Sequence, residues 1–311
     1  VRPAVEANGF KIGEDIHLVH APERIIPRAL MAQYTTFRVG GAADVLVNIA
    51  SADEIPVALS AAKKADVPVT VIGNGSNLLV RDGGIRGLVL RVSSAMSAIR
   101  RVGDDLIVEA GAPLGAIAAF ARDEGLCGMA ELAGIPGTIG GGVTMNAGAY
   151  GAELAQIVSS VECVSLHSGK KVAFSADELD FSYRHSALMG ANVAAAQITL
   201  SLTPGDPQAI RARMEECAAM RREKQPLNYP SAGSTFKRPE GHFAAKLIDD
   251  CGLRGLTVGG AQVSEKHAGF IVNIGGATAS DILELMRQVE QRVFEQFGVH
   301  LEPEVRILGE D

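Results

Sequence analysis

Tryptophan is absent and aromatic residues make up only 5% of the chain, so stacking of bases on an aromatic platform is not an obvious binding device. A basic surplus is missing too. With a formal net charge of −7 and a pI near 5.6, polyanion and anionic-lipid binding are set aside. The four cysteines, Cys127, Cys163, Cys217 and Cys251, lie tens of residues apart with no C-x-x-C pair, which argues for reduced, mostly buried thiols. No H-E-x-x-H pattern occurs among the histidines, and His17 and His20 in the polar leader read as structural or solvent-exposed, so no metal is expected. No apolar run approaches the ~20 residues needed to span a bilayer. The N-terminal stretch VRPAVEANGFKIGEDIH also lacks the apolar core of a signal peptide, so a cytoplasmic location is expected.

What is abundant is glycine, and it is concentrated. From Ala133 to Gly151 the chain reads AGIPGTIGGGVTMNAGAYG, with glycines at 134, 137, 140, 141, 142, 148 and 151 and no charged residue. A packed helix or strand loses stability at such a composition, because glycine gives up the most backbone freedom and buries no side chain. Close approach to a ligand explains it better. A backbone without Cβ atoms turns its N–H groups inward and forms a neutral pocket suited to anionic phosphates. A flexible linker is the alternative, but Ile135, Ile139, Val143 and Met145 look packed, whereas linkers are hydrophilic and Ser-rich.

A second glycine element, GNGSN at 73–77, follows the apolar run VPVTVI, which reads as a buried strand. Its amides and hydroxyls suit a pyrophosphate, although alone it is equally a plain turn. It matches neither G-x-G-x-x-G nor the P-loop. Around it, residues 1–34 read as an irregular arm interrupted by Pro22 and Pro27. Strands are expected at 43–49, 85–92, 99–102, 106–110, 157–166, 171–174 and 193–203. A helix capped by Asp53 should run to Ala65, another should span 113–124, and a short one should follow the capping-box pattern at Ser175. Pro204-Gly205-Asp206-Pro207 marks a boundary, giving an expected division into an arm (1–34), a first domain (35–204) and a second domain (205–311).

In the second domain, helices are expected at 208–224, 243–251 and 280–297. The last should bury a stripe of Ile282, Leu285, Met286, Val289 and Val293. Two strands near 257–263 and 269–274 lie between them, so the whole chain reads as α+β. Three polar residues need explaining: Arg184 in FSYRHS, Ser234 in AGSTFK and Glu304 in LEPEVR. Period-two alternation over 299–307 puts Glu304 on one face with His300, Glu302 and Arg306, and a solvated surface would look the same. A hydrolase is poorly supported, because there is no G-x-S-x-G elbow and no histidine assignable to activate Ser234. A serine without a base is better employed as a proton or hydrogen-bond donor.

Taken in order, TTFRVGG (35–41), GNGSNLLV (73–80), GIPGTIGGGVTMNAGAYG (134–151), FSYRHS (181–186), AGSTFK (232–237) and LEPEVR (301–306) resemble the UDP-N-acetylenolpyruvoylglucosamine reductase family of bacterial peptidoglycan synthesis. The resemblance implies non-covalent FAD on a domain of the vanillyl-alcohol oxidase (PCMH) type, followed by a smaller substrate-binding domain. It also implies NADPH as reductant and UDP-N-acetylglucosamine enolpyruvate as substrate. The implied FAD contacts are Gly73, Asn74, Gly75, Ser76, Asn77, Gly134, Gly137, Thr138, Gly140, Gly141, Asn146, Gly148 and Ala149. Ser234 matches the family's proton donor, Arg184 its carboxylate clamp and Glu304 its acid, which burial should keep protonated near pH 7. Tyr183 and Lys237 match substrate contacts, and the absence of a long Tyr-bearing insertion fits the shorter family type. Where the family usually reads F-K-N-P, this chain has Phe236-Lys237-Arg238-Pro239, which leaves position 238 without an assigned role.

Two other classes compete. An O2-using oxidase on the same FAD fold would not turn over NADPH, and a nucleotide-sugar binding protein would carry no redox-active flavin. A monomer is the expectation for the chain, with no nucleic-acid or membrane partner.

Overall fold

The computed structural model describes residues 24–311, so His17, His20 and most of the expected arm lie outside the described residues. The chain forms two compact units. The first comprises residues 24–28, 44–74 and 87–220, and the second 29–43, 75–86 and 221–311. Both units take segments from either side of Pro204. Proline and glycine mark where a chain turns, and which core it then joins is decided by distant partners.

Two sheets build the first unit. One has four strands in the order Ile25–Leu30, Ala42–Ile49, Ile85–Val92, Val69–Ile72, the last two parallel with Val69 opposite Leu88. Val45, Leu46 and Val47 are consecutive and all buried, the mark of a strand covered on both faces. Ile25–Leu30 corrects the expectation of an irregular arm. Pro27 lies in an edge strand, the one sheet position where a missing N–H is tolerated. The helix Glu54–Lys64 buries Ile55, Ala58, Ala61 and Ala62. Asp53 does not cap it. Glu54 instead accepts the Ala50 N–H at 2.9 Å and the Arg24 guanidinium at 2.8 Å.

The second sheet is antiparallel, with five strands in the order Lys171–Ser175, Val158–Ser165, Val193–Ser201, Asp105–Glu109, Ile99–Val102. Helix Leu114–Asp123 buries Leu114, Ile117, Ala118 and Ala121 and ends before Gly125, whose φ is +67°. The bonds of the expected capping box are present, with Ser175 N–H to the Glu178 carboxylate at 2.8 Å and Glu178 N–H to Ser175 Oγ at 3.4 Å. They close a turn rather than start a helix, because Asp180 turns out of helical space at φ +43°.

In the second unit, helix Ala279–Phe297 buries the whole expected stripe. Each of those side chains contributes roughly 1.5–3 kcal/mol on burial, more than propensity can offer an isolated helix. Thr278 Oγ1 accepts the Asp281 N–H at 3.0 Å, Asp281 accepts the Thr278 N–H at 2.9 Å, and Gly298 ends the helix at φ +69°. The helix packs on an antiparallel sheet of Thr257–Val258, Ala261–Val263 and Ile271–Asn273. Phe37, Leu79, Leu301 and Val305 join the same core, and Leu78–Val80 pairs in parallel with Arg306–Leu308. Among the described residues no helix is long and apolar enough to cross a membrane.

Candidate active site

In the first unit the two glycine elements meet at Gly73 and Thr138. A Cβ on Gly73 would lie 2.5 Å from Thr138 Oγ1. Thr138 is only 4% exposed, yet its hydroxyl makes no hydrogen bond within the protein. Leaving a buried hydroxyl unpaired costs roughly 1–3 kcal/mol, so this notch is shaped to receive a polar group. Asn74 Nδ2 donates to the Pro136 carbonyl at 2.9 Å and joins the rims of the two loops.

The glycine stretch is not irregular throughout, as its composition leads one to expect. Residues Ile139–Thr144 form a short helix. A Cβ at Gly140 would lie 2.9 Å from Ala110 Cβ, and one at Gly142 would lie 2.9 Å from Leu154 Cδ1. These two glycines let the helix sit directly against the protein, and the Gly140 N–H is taken by the Ala110 carbonyl at 2.8 Å. Gly141 turns outward and is exposed, and a Cβ there would lie 3.7 Å from Thr138 Oγ1. Gly134 is also exposed, the Gly137 carbonyl accepts the Leu114 N–H at 3.1 Å, and Gly148 and Ala149 pair with Ala152 and Glu153 in a hairpin.

Asn146 is fully buried and works as a bracket. Its Nδ2 donates to the Ser182 carbonyl at 3.0 Å and its Oδ1 accepts the Ala155 N–H at 3.0 Å. Ser182 and His185 exchange backbone hydrogen bonds at 3.2 and 3.1 Å, placing Tyr183 and Arg184 at the tip of a tight turn. Arg184 sits there at φ +55°, a left-handed conformation that disfavours a long side chain. Its guanidinium lies 4.9 Å from the Tyr183 ring centroid and donates to the carbonyls of Asn146 at 3.5 Å and Gly148 at 3.3 Å. Ser186 was not singled out by the sequence. It is buried and donates to the Thr144 carbonyl at 2.9 Å, locking the turn to the short helix.

In the second unit the structure brings the Ser234 and Glu304 segments together. Ser234 is exposed, while its neighbour Thr235 is 1% exposed and bonded on three sides. Thr235 donates its N–H to Gly269 O at 2.9 Å, accepts the Ile271 N–H on Oγ1 at 3.0 Å, and accepts the Glu304 N–H on its carbonyl at 2.8 Å. Nothing in the sequence distinguishes Thr235 from an ordinary loop residue. The expected alternation over 299–307 holds only in part. Leu301 and Val305 are buried, and His300, Glu302 and Arg306 are exposed. Pro303, however, is exposed where the alternation expects it inside, and regular strand begins only at Arg306. Glu304 is therefore half-buried, apart from its supposed solvated row.

The remaining candidates also fall in the second unit. Gly75 adopts φ +66° with its Cα so close to Tyr34 that a Cβ would lie 2.1 Å from that carbonyl. The Gly75 carbonyl accepts the Thr36 N–H at 3.2 Å, and the Thr36 hydroxyl donates to the Ser231 carbonyl at 2.7 Å. Asn77 Nδ2 donates to the Glu304 carbonyl at 3.0 Å, and the Asn77 carbonyl accepts the Arg306 N–H at 2.9 Å. Lys237 Nζ lies 3.1 Å from the Glu302 carboxylate, and the Arg238 guanidinium lies 4.6 Å from the Phe243 ring centroid.

Against known proteins, a profile described as an FAD binding domain matches residues 43–175. Another, described as the C-terminal domain of UDP-N-acetylenolpyruvoylglucosamine reductase, matches residues 225–308. A reductase of that name from Pediococcus pentosaceus is 48% identical over 93% of this chain and 95% of its own length. One from Clostridium novyi is 45% identical over 96% of this chain and 97% of its own. The crystal structure of the Thermus caldophilus reductase superposes with a TM-score of 0.78 at 36% identity, covering 92% of this chain and 98% of that one.

Proposed function

Because the chain belongs to the UDP-N-acetylenolpyruvoylglucosamine reductase family, we propose that it reduces the enolpyruvyl group of UDP-N-acetylglucosamine enolpyruvate to give UDP-N-acetylmuramate for peptidoglycan synthesis, with NADPH as reductant. It is an FAD-dependent oxidoreductase, with an FAD-binding part of the vanillyl-alcohol oxidase type.

When bound, FAD would supply hydride chemistry to the enolpyruvyl methylene carbon. Residues of the first unit that would hold the cofactor are Gly73, Asn74, Thr138 and Gly141. Gly73 and Gly141 keep the notch clear of side chains, and the buried Thr138 hydroxyl offers a hydrogen bond that the protein leaves unmade.

Hydride addition leaves negative charge on the adjacent carbon and its carboxylate. Arg184, permanently charged and planar, would clamp that carboxylate. Ser234 Oγ would deliver its proton to the adjacent carbon, completing the lactyl ether. The Glu304 carboxyl would donate a hydrogen bond to the developing anion. Lys237 would take a diphosphate oxygen. Its exposed ion pair with Glu302 is worth only about 0–1 kcal/mol, so a substrate phosphate can displace it. Tyr183, exposed beside Arg184, would help close over the sugar nucleotide.

The observation that most supports this reading is the 2.8 Å hydrogen bond from Glu304 N–H to the Thr235 carbonyl. It draws together the two segments that carry the proposed proton donor and the proposed acid. The test is an anaerobic absorption spectrum of the purified flavoprotein with NADPH and then the enolpyruvyl sugar. Flavin bands should bleach and return. Bands that return only with O2 would favour an oxidase, and a protein that takes up no flavin would overturn the assignment.

A further inference from the structure

Glu304 is held through its backbone from two directions. Its N–H is taken by Thr235 O at 2.8 Å, and its carbonyl accepts Asn77 Nδ2 at 3.0 Å. Asn77 adds a second grip two residues further on, where its own carbonyl accepts the Arg306 N–H at 2.9 Å. Thus one residue, more than two hundred positions away in the chain, brackets the peptide on the C-terminal side of the carboxylate. The strand Arg306–Leu308 needs only its pairing with Leu78–Val80 to be held in register, with Arg306 opposite Leu78. The side-chain bond to Glu304 is additional to that pairing. It reaches the residue that follows the isolated antiparallel bridge between Pro303 and Phe236 and lies two positions before the strand begins.

The placement of Asn77 is itself enforced. Gly75 has no room for a side chain beneath Tyr34, and its carbonyl accepts the Thr36 N–H at 3.2 Å. The donor on Asn77 is therefore presented from a fixed loop.

We infer that Asn77 is a positioning residue for Glu304, using its side-chain amide to orient the acid rather than to bind the cofactor. The inference rests on the reductase reading for the role of Glu304, but the hydrogen bonds that carry it do not. Removing the Asn77 donor takes away the side-chain bond to the Glu304 carbonyl and leaves this peptide tied to residue 77 only through the Arg306 N–H. The carboxyl then samples orientations away from the reacting carbon, and misplacement on the ångström scale costs about tenfold to a hundredfold in rate.

The experiment compares wild type with Asn77→Ala and Asn77→Asp, the latter keeping the shape while losing the donor. Three quantities are read: FAD affinity by fluorescence titration, the rates of flavin reduction by NADPH and of flavin reoxidation by the enolpyruvyl sugar at saturating FAD, and backbone hydrogen exchange of the 302–308 segment in the apoprotein. The expected result is faster exchange in that segment, FAD affinity and NADPH reduction within about twofold of wild type, and reoxidation slowed about tenfold or more. Weakened FAD binding with normal reoxidation at saturation would make Asn77 a cofactor ligand and overturn the inference. So would equal losses in both half-reactions, or unchanged exchange at 302–308. If wild type itself is not reoxidised by the sugar, the reductase reading fails, and the exchange data still decide separately whether Asn77 holds the segment.

Discussion

Asn146 Nδ2 donates to the Ser182 carbonyl at 3.0 Å, and this buried bond fastens the Arg184 turn to the glycine stretch. The carbonyls of Asn146 and Gly148 accept from the Arg184 guanidinium in turn, so one short segment sets both the backbone and the head group of the arginine. Asn146 itself adopts φ +44°, as asparagine does more readily than most residues. A structural residue thus takes part in the site without any need to touch a ligand.

Arg184 occupies a left-handed position at the tip of its turn, where glycine would fit with less strain. Arg184→Gly removes about 1–2 kcal/mol of backbone strain, while the added freedom of glycine in the unfolded chain and the lost guanidinium bonds oppose this. The apoprotein should therefore melt within a few degrees of wild type, whereas reoxidation of the flavin by substrate should fall by a hundredfold or more, on the order of a lost charge-assisted pair. Thermal denaturation and stopped-flow absorbance check the two halves. A large loss of stability with normal reoxidation would make the arginine structural.

Ser234→Ala separates the half-reactions. The side chain is exposed and Thr235 supplies the hydrogen bonds that hold the loop, so the fold should be unaffected. NADPH should still bleach the flavin at the wild-type rate, and the return of colour with the enolpyruvyl sugar should slow by about a hundredfold or more, the usual worth of general-acid catalysis. Equal slowing of both steps would remove Ser234 as the proton donor.

Much of this was legible in the sequence because periodicity is a local property. The Ile282 to Val293 stripe follows directly from it, and the strand Ala42–Ile49 from its β-branched content. Arg184, Ser234 and Glu304 were reached only through their motifs, since nothing in composition separates Glu304 from its exposed neighbours Glu302 and Arg306. What escaped was set by distant contacts. Pro27 hides an edge strand, Asp53 makes no side-chain cap, and Gly140 and Gly142 have packing neighbours in Ala110 and Leu154 that no local pattern shows. A glycine required by packing and one required by a cofactor look identical until their neighbours are known.

That distinction is testable with two alanines. Gly73→Ala would place a methyl group 2.5 Å from the unpaired Thr138 hydroxyl and fill the notch, so FAD affinity should fall tenfold or more, a change of about 1.4 kcal/mol. Gly140→Ala meets Ala110 Cβ at 2.9 Å and the Ala110 carbonyl at 3.0 Å, neither of which can swing aside. Overpacking of this kind costs about 1–3 kcal/mol, so the apoprotein melting temperature should drop by several degrees. Flavin titration and apoprotein melting together decide the matter. If Gly140→Ala weakened FAD without lowering apoprotein stability, the packing account of that glycine would be wrong.

The N-terminus of helix Ala279–Phe297 makes a prediction about pH. Asp82 accepts the N–H groups of Ala279 at 2.8 Å and Ser280 at 2.9 Å, and the Ser280 hydroxyl at 2.7 Å. Burial pushes the Asp82 carboxyl up, but these three hydrogen bonds together outweigh it and hold the group below the usual aspartate value. A carboxylate with a lower pKa folded than unfolded adds stability above the ordinary aspartate range, and that stability is lost as the pH falls through the folded value. Asp82→Ala should therefore cost about 1 kcal/mol near neutral pH, modest because the side chain is exposed to solvent. The difference in melting temperature between wild type and variant should shrink as the pH is lowered below about 4, where the wild-type carboxylate takes up its proton. Apoprotein melting at neutral pH and near pH 3 measures both points. A gap that stays constant across that range would mean that the cap acts through shape alone and that the charge on Asp82 contributes nothing to the helix.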